Sequence, residues 1–341
     1  MEIRIVSYTA RGGETARRVD AALAERGHVC RRFALEKFCR AGDEPLSGSA
    51  SEWAGDGFRH ADALIFVCAS GIAVRAIAPW VKDKTTDPAV LVTDEAARFV
   101  IPLLSGHLGG ANALAETLAE ALGAAPVITT ATDVNDLFAV DVFAKNNHLL
   151  LTDMGLAKAV SAALLNGEPV GFRSELPVSG ALPKGLTEGD AALGVYVGTG
   201  ASPFERTLRL IPKRFALGVG CRRGKDPAAL SAFLEKTLAA NGVRKEELRC
   251  LASIDLKKDE PALLAFAEAN GLSFRTYSAD ELNAVPGVFA ASAFVRETTG
   301  VDSVAERAAV RASGGELVVK KTAEDGMTFA LAESKEGISF A

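Results

Sequence analysis

Apolar and polar positions follow two periods along this chain. Residues 3–8 (IRIVSY) are of strand length and rich in β-branched residues, and predict a buried first strand. The next run, 14–26, repeats its apolar residues at helical spacing, with Ala16, Val19, Ala22 and Leu23 on one face. Residues 29–33 predict a second strand, and 39–51 a polar loop holding glycine and serine. A strand over 61–68 and a short helix over 72–80 follow. Ala89–Thr93 and Phe99–Leu104 predict a strand pair joined around 94–98. A long helix over 108–122 and a strand over 126–130 complete the run. Strand and helix alternate, so a largely parallel sheet covered on both faces is expected.

Periodicity weakens after residue 135. Helices are expected over 136–147 and 155–166, then short strands at 170–172, Leu193–Val197 and 207–212 between glycines and prolines. Pro212-Lys213-Arg214 marks a boundary. A second α/β unit opens with a strand over 215–219. The helix Pro227–Ala240 carries a proline in its first turn, with Asp226 as its cap. A strand over 248–256, a helix over 260–270, the strand Ser273–Tyr277 and a helix over 303–312 follow. A hairpin around Asp325-Gly326 closes the pattern. The expected fold is therefore α/β throughout. Residues 1–134 form an N-terminal three-layer domain with a mostly parallel sheet, 135–212 a smaller middle segment, and 213–341 a C-terminal α/β/α domain.

Composition narrows the function classes. With 341 residues, 48% hydrophobic and 24% charged, the chain can bury ordinary cores without disulfides. Its five cysteines (Cys30, Cys39, Cys68, Cys221, Cys250) are scattered, which suits reduced thiols in a cytoplasm and no structural zinc. A net charge of −5 argues against nucleic acid as the partner. The longest apolar runs, such as 61–69, fall far short of the ~20 residues that a membrane span needs. No signal-peptide pattern is visible.

Candidate chemistry gathers at strand tips. The stretch 99–133, FVIPLLSGHLGGANALAETLAEALGAAPVITTATD, holds a turn with Ser105, Gly106, His107, Gly109, Gly110 and Asn112. Its glycines and the following helix N-terminus suit an anion; the plainer reading is a tight turn capped by Asn112. His107 is either a general base near neutral pH or a hydrogen-bonded structural residue. Thr129, Thr130, Thr132 and Asp133 form a second polar tip; Asp133 can orient His107, act as a base, or merely cap the next helix. Ser70, Gly71, Arg75 and Lys84 place cations at another tip, with a Lys84–Asp87 ion pair as the plain alternative. The run Gly218-Val219-Gly220-Cys221-Arg222-Arg223-Gly224 misses the dinucleotide spacing by one residue. It reads as an anion-binding turn built on Arg222. Cys221 lacks a neighbouring histidine in the sequence and is not expected to be a nucleophile. Lys257 offers another anion contact. Ser303 and Glu306 have capping-box spacing, which competes with a catalytic reading of Glu306.

Six ordered blocks together resemble the cobalt-precorrin 5A hydrolase family of the oxygen-independent cobalamin pathway. They are SGIAVRAIAPWVKDKTTDPAV (70–90), VTDEAARFVIPLLSGHLGGANALAETLA (92–119), PVITTATD (126–133), LGVGCRRG (217–224), ASIDLKKDE (252–260) and TGVDSVAERAAV (299–310). Phe329, in TFALA, stands where the family more often has a β-branched residue. The resemblance implies a three-part chain whose C-terminal domain also exists as a separate protein in the aerobic pathway. It implies opening of a δ-lactone on a contracted cobalt corrinoid, with loss of acetaldehyde. The cobalt belongs to the substrate, so no resident cofactor or metal is expected. The partner is an anionic macrocycle, its acetates and propionates held by the strand-tip residues named above. Contacts with other pathway enzymes and a homodimeric state are left open.

The resemblance does not assign the steps to residues; from the chemistry that lactone opening needs, His107 is the expected general base or proton shuttle, with Asp133 orienting it and backbone N–H groups near Gly109 and Gly110 facing the oxyanion. Glu306 is a second candidate acid, which would put the site between domains. His107 as an axial ligand to the substrate cobalt is a further option. Two other classes stay open: a corrinoid carrier without chemistry, and a nucleotide-dependent reductase or methyltransferase using the glycine-rich turns.

Overall fold

The computed structural model describes residues 1–83, 86–107 and 109–340. The chain divides into two compact units, Met1–Val142 with Ser161–Glu168, and Phe143–Val160 with Pro169–Ala341.

The first unit is built on β1 (Glu2–Ser7), β2 (Val29–Ala34), β3 (Asp43–Pro45), β4 (Ala63–Val67), β5 (Ala89–Thr93), β6 (Phe99–Leu104) and β7 (Ala125–Pro126). Their order is β3-β2-β1-β4-β5-β6-β7. Every residue of β4 and β5 is buried, as expected for central strands covered on both faces. One face packs Ile3, Ile5, Ile65 and Leu91 under Val19, Leu23, Leu114 and Leu118. These belong to α1 (Ala10–Ala24) and, after α2 (Ala50–His60) and α3 (Ser70–Ile77), α4 (Ala111–Leu122). The other face packs Val6, Leu64, Phe66 and Val92 against Trp53, Ala73 and Ile77 of α2 and α3.

The sequence analysis places no helix between the loop at 39–51 and the strand at 61–68, where the structure has α2. Its glycines Gly55 and Gly57 are packing requirements. A Cβ on Gly55 would lie 2.4 Å from the Trp80 ring, and one on Gly57 2.4 Å from Leu64. The Ser49–Glu52 capping box starts this helix. The helix α1 begins earlier than expected because the Thr9 hydroxyl accepts the Gly12 N–H. The helix expected over 136–147 is broken. Residues Ala131–Val134 form α5, Asp136 takes a φ of 52°, and α6 runs Val140–Asn146. The strand expected over 126–130 joins the sheet only at its first residue, Pro126.

One consequence of the β5–β6 hairpin corrects the sequence reading. The two strands are antiparallel, with Val90 beside Leu104 and Thr93 beside Val100. The tip after β6 therefore lies at the opposite sheet edge from the tip after β4. Ser70, Gly71 and Arg75 do not share an edge with His107.

The second unit contains β8 (Leu149–Leu151), α7 (Met154–Leu165) in part, β9 (Val170–Ser174), β10 (Val178–Ser179), β11 (Leu186–Thr187), β12 (Leu193–Val197) and β13 (Arg206–Pro212). A five-stranded sheet has the order β11-β9-β12-β13-β8, parallel except for β8. The remaining elements are β14 (Phe215–Cys221), α8 (Pro227–Ala240), β15 (Leu248–Ile254), α9 (Pro261–Ala269), β16 (Ser273–Tyr277), α10 (Ala279–Asn283), α11 (Ala293–Thr299), α12 (Val304–Ser313), β17 (Glu316–Glu324), β18 (Met327–Glu333) and β19 (Ile338–Ser339). Their sheet runs β16-β15-β14-β18-β17; β14, β15 and β16 are parallel, and β17–β18 is the expected hairpin. Phe329 is fully buried in its core. Gly218 and Gly220 lie within β14 rather than in a turn. A Cβ on Gly218 would sit 1.9 Å from the Ala305 carbonyl, so the glycine lets α12 rest on the strand.

Among the described residues no helix is long and apolar enough to cross a membrane.

Candidate active site

The turn after β6 is shaped by steric need. Ser105 takes a φ of 56°, and its hydroxyl donates to the Asp87 carbonyl at 2.9 Å. A Cβ on Gly109 would lie 2.7 Å from the Ser105 carbonyl oxygen, so only glycine fits there. Gly110, with φ 84°, starts α4. The Gly110, Ala111 and Asn112 N–H groups donate to the carbonyls of His107, Ser105 and Gly106. The turn thus satisfies these three N–H groups itself, which corrects their reading as an anion cradle. Of the two glycines considered as oxyanion donors, only Gly109 remains a candidate.

Asn112 does not cap its helix. Its side-chain amide donates to Thr130 Oγ1 at 2.9 Å and to Asp133 Oδ2 at 2.8 Å. Asp133, on α5, does not cap its helix either; Thr130 holds the cap position. The Asp133 carboxylate instead faces His107, with Oδ2 2.9 Å from Nε2. Thr132 Oγ1 lies 3.3 Å from the same nitrogen. The other ring nitrogen, Nδ1, lies 3.4 Å from Asp141 Oδ1. His107 is therefore clamped between two carboxylates, one of which the sequence reading did not single out. Asp141 starts α6 within the apolar run LFAVDVFA, and a lone acid among core residues is a signal for a partnered carboxylate.

This clamp sets the charge. The hydrogen bond to Asp141, reinforced by Asp133, outweighs burial and raises the His107 pKa to about 9. Burial acts to raise the Asp141 pKa, but the bond to His107 and its charge leave it below the usual carboxylate value. At neutral pH the ring is an imidazolium. A protonated imidazole is a poor general base and has no lone pair for cobalt. The sign for stability follows. The contribution of the clamp is fully present below the ordinary histidine value of 6.5 and is lost as pH rises through about 9. Thermal melts should show the advantage of the wild type over His107→Gln shrinking by about 2 kcal/mol across that window, a figure reduced for screening at the partly exposed Asp133.

Asp133 is the open member of the group. Its side chain is 36% exposed, against 16% for His107 and 15% for Asp141. Among the described residues its Oδ1 accepts no hydrogen bond. Thr129 is exposed, and Thr130 is half-buried. Lys84 lies outside the described residues. Asp87 is buried, and its carboxylate accepts the Lys82 N–H at 2.9 Å. Ser70, Gly71 and Arg75 are exposed, and Arg75 donates to the Gly71 carbonyl within its own helix.

The remaining sequence candidates lie in the second unit. Arg222 and Lys257 line a cleft of about 700 Å³ at the carboxyl ends of β14 and β15. Lys257 pairs with the buried Glu260 at 3.0 Å. Glu306 is 1% exposed and makes no capping box. Its oxygens accept the Ala290 N–H at 2.6 Å, the Lys321 N–H at 2.8 Å and the Ser303 hydroxyl at 3.0 Å. It ties three segments together and offers no acid open to a substrate.

Three sequence families match consecutive parts of the chain. "Cobalamin synthesis G N-terminal" matches residues 52–133, "Cobalamin biosynthesis central region" 138–212 and "Cobalamin synthesis G C-terminus" 215–332. The cobalt-precorrin-5A hydrolase of Salmonella typhimurium is 38% identical over 314 residues, covering 88% of this chain and 90% of that protein. The chain belongs to the cobalt-precorrin-5A hydrolase family. Another relative of that name, from Priestia megaterium, is 34% identical over 360 residues, covering 96% of this chain and 94% of that protein. Protein CobE of Sinorhizobium sp is 38% identical over 119 residues, 34% of this chain and 77% of that protein. In this family member the His107 group falls in the N-terminal and central matches, and the cleft in the C-terminal one.

Proposed function

We propose that this chain, a hydrolase of cobalamin biosynthesis, opens the δ-lactone of cobalt-precorrin-5A at the His107–Asp133–Asp141 group and releases acetaldehyde. The names of its relatives support the reaction. The placement of His107 between two carboxylates carries the choice of site. The roles differ from those expected from sequence. Asp133, exposed and with Oδ1 open, takes the proton of a water that attacks the lactone acyl carbon. The acyl C–O bond breaks, and the imidazolium of His107 stabilises the negative oxygen that develops. Asp141 keeps that ring charged and aligned. The freed alkoxide becomes the carbonyl of acetaldehyde as its carbon–carbon bond to the ring breaks. The electron pair passes to the cobalt macrocycle, and the proton held by Asp133 leaves to solvent. The test is trapping of acetaldehyde from the chain with cobalt-precorrin-5A. One equivalent per macrocycle supports the reading; corrinoid bound but unchanged identifies a carrier instead.

A further inference from the structure

The cleft in the second unit is not used by the chemistry above. Its walls are apolar: Leu256, Phe294, Val295, Val304 and Met327. Phe294 is 75% exposed and Leu256 54%, an unusual display of large apolar side chains on a water-facing surface. Its rim is cationic. Arg222, Arg223 and Lys321 line it, and among the described residues none of the three forms an ion pair. The acids at the same rim are already matched. Glu324 pairs with Lys236 at 3.0 Å, and Asp325 with Lys225 at 2.6 Å. An apolar trough of this volume is the size of a small-molecule site. Unmatched cations around it call for an occupant with apolar faces and several carboxylates at its edge.

We propose that this cleft binds a flat, polycarboxylate cobalt macrocycle, its face against Phe294 and Leu256 and its carboxylates on Arg222, Arg223 and Lys321. The ligand class rests on the hydrolase reading. A dinucleotide fits less well, because Gly218 and Gly220 serve strand packing against Ala305 and Thr328 rather than a phosphate turn. Arg223, Lys321 and Phe294 become substrate-binding residues beside Arg222. The main-chain bond from Lys321 to Glu306 survives truncation of its side chain.

The test is a spectral titration of the full chain with cobyrinic acid, a lactone-free cobalt corrin with free carboxylates, and with its neutral methyl ester. The wild type should bind the acid roughly tenfold or more tightly than the ester, with an affinity that falls as salt rises. Arg223→Ala/Lys321→Ala should raise Kd for the acid roughly tenfold and flatten the salt dependence. Phe294→Ala should weaken both ligands. Unchanged titration of the double variant overturns the proposal, as does displacement of the corrin by an equal concentration of NADPH. Acetaldehyde release reports on the hydrolase reading separately. Release by the wild type with unaltered binding in the variants removes the cleft and keeps the hydrolase. Binding lost in the variants, with no release by the wild type, does the reverse.

Discussion

Asp133→Asn is expected to lower acetaldehyde release about a thousandfold, within the range that general acid–base groups contribute. The amide cannot take a proton from water, and its carboxylate is the member of the group that solvent reaches. The fold should survive, because Asn112 and His107 retain a polar neighbour of the same shape. His107→Gln should lose a comparable factor through the missing positive charge. Asp141→Asn should act differently. It removes the largest contribution raising the His107 pKa, so the pH at which activity is lost on the alkaline side moves down from about 9 toward 6.5. A ring-proton NMR titration of His107 in that variant checks the shift independently of rate.

Glu306→Ala is expected to destabilise the second unit by about 3 kcal/mol or more. It removes the acceptor of the part-buried Ala290 and Lys321 N–H groups and of the buried Ser303 hydroxyl. Glu306→Gln keeps acceptor capacity on one oxygen and should lose less, about 1–2 kcal/mol. Denaturant melts of both variants measure this. If Glu306 acts only through structure, Glu306→Gln retains acetaldehyde release near the wild-type rate where it is folded. A hundredfold loss in a folded Glu306→Gln chain would restore it as a catalytic acid.

The elements with strong local signals were readable in advance. Helix α8, strand β16 and the closing hairpin lie where the sequence placed them, the helix on its proline start and the hairpin on its Asp-Gly turn. The contact of His107 with Asp133 was readable as two polar tips separated by one helix. Three features depended on packing that no local pattern reports. The helix α2 contains Gly55 and Gly57, whose meaning comes from Trp80 and Leu64. Asp141 was concealed by treating 136–147 as one helix, whereas the positive φ at Asp136 turns the chain and brings α6 back to His107. Glu306 has the spacing of a capping box, yet its carboxylate reaches Ala290 and Lys321 instead. The separation of Ser70 from His107 was implicit in the hairpin reading, since an antiparallel β6 points its tip to the other edge.

The most direct test of the account is a single turnover of cobalt-precorrin-5A in heavy-oxygen water, with wild type and Asp133→Asn in parallel. Attack at the acyl carbon predicts one heavy oxygen in the newly freed corrinoid carboxylate and one equivalent of acetaldehyde from the wild type, with both nearly absent from Asp133→Asn. Equal labelling and release by the two proteins would contradict the assignment of the reaction to the His107–Asp133–Asp141 group.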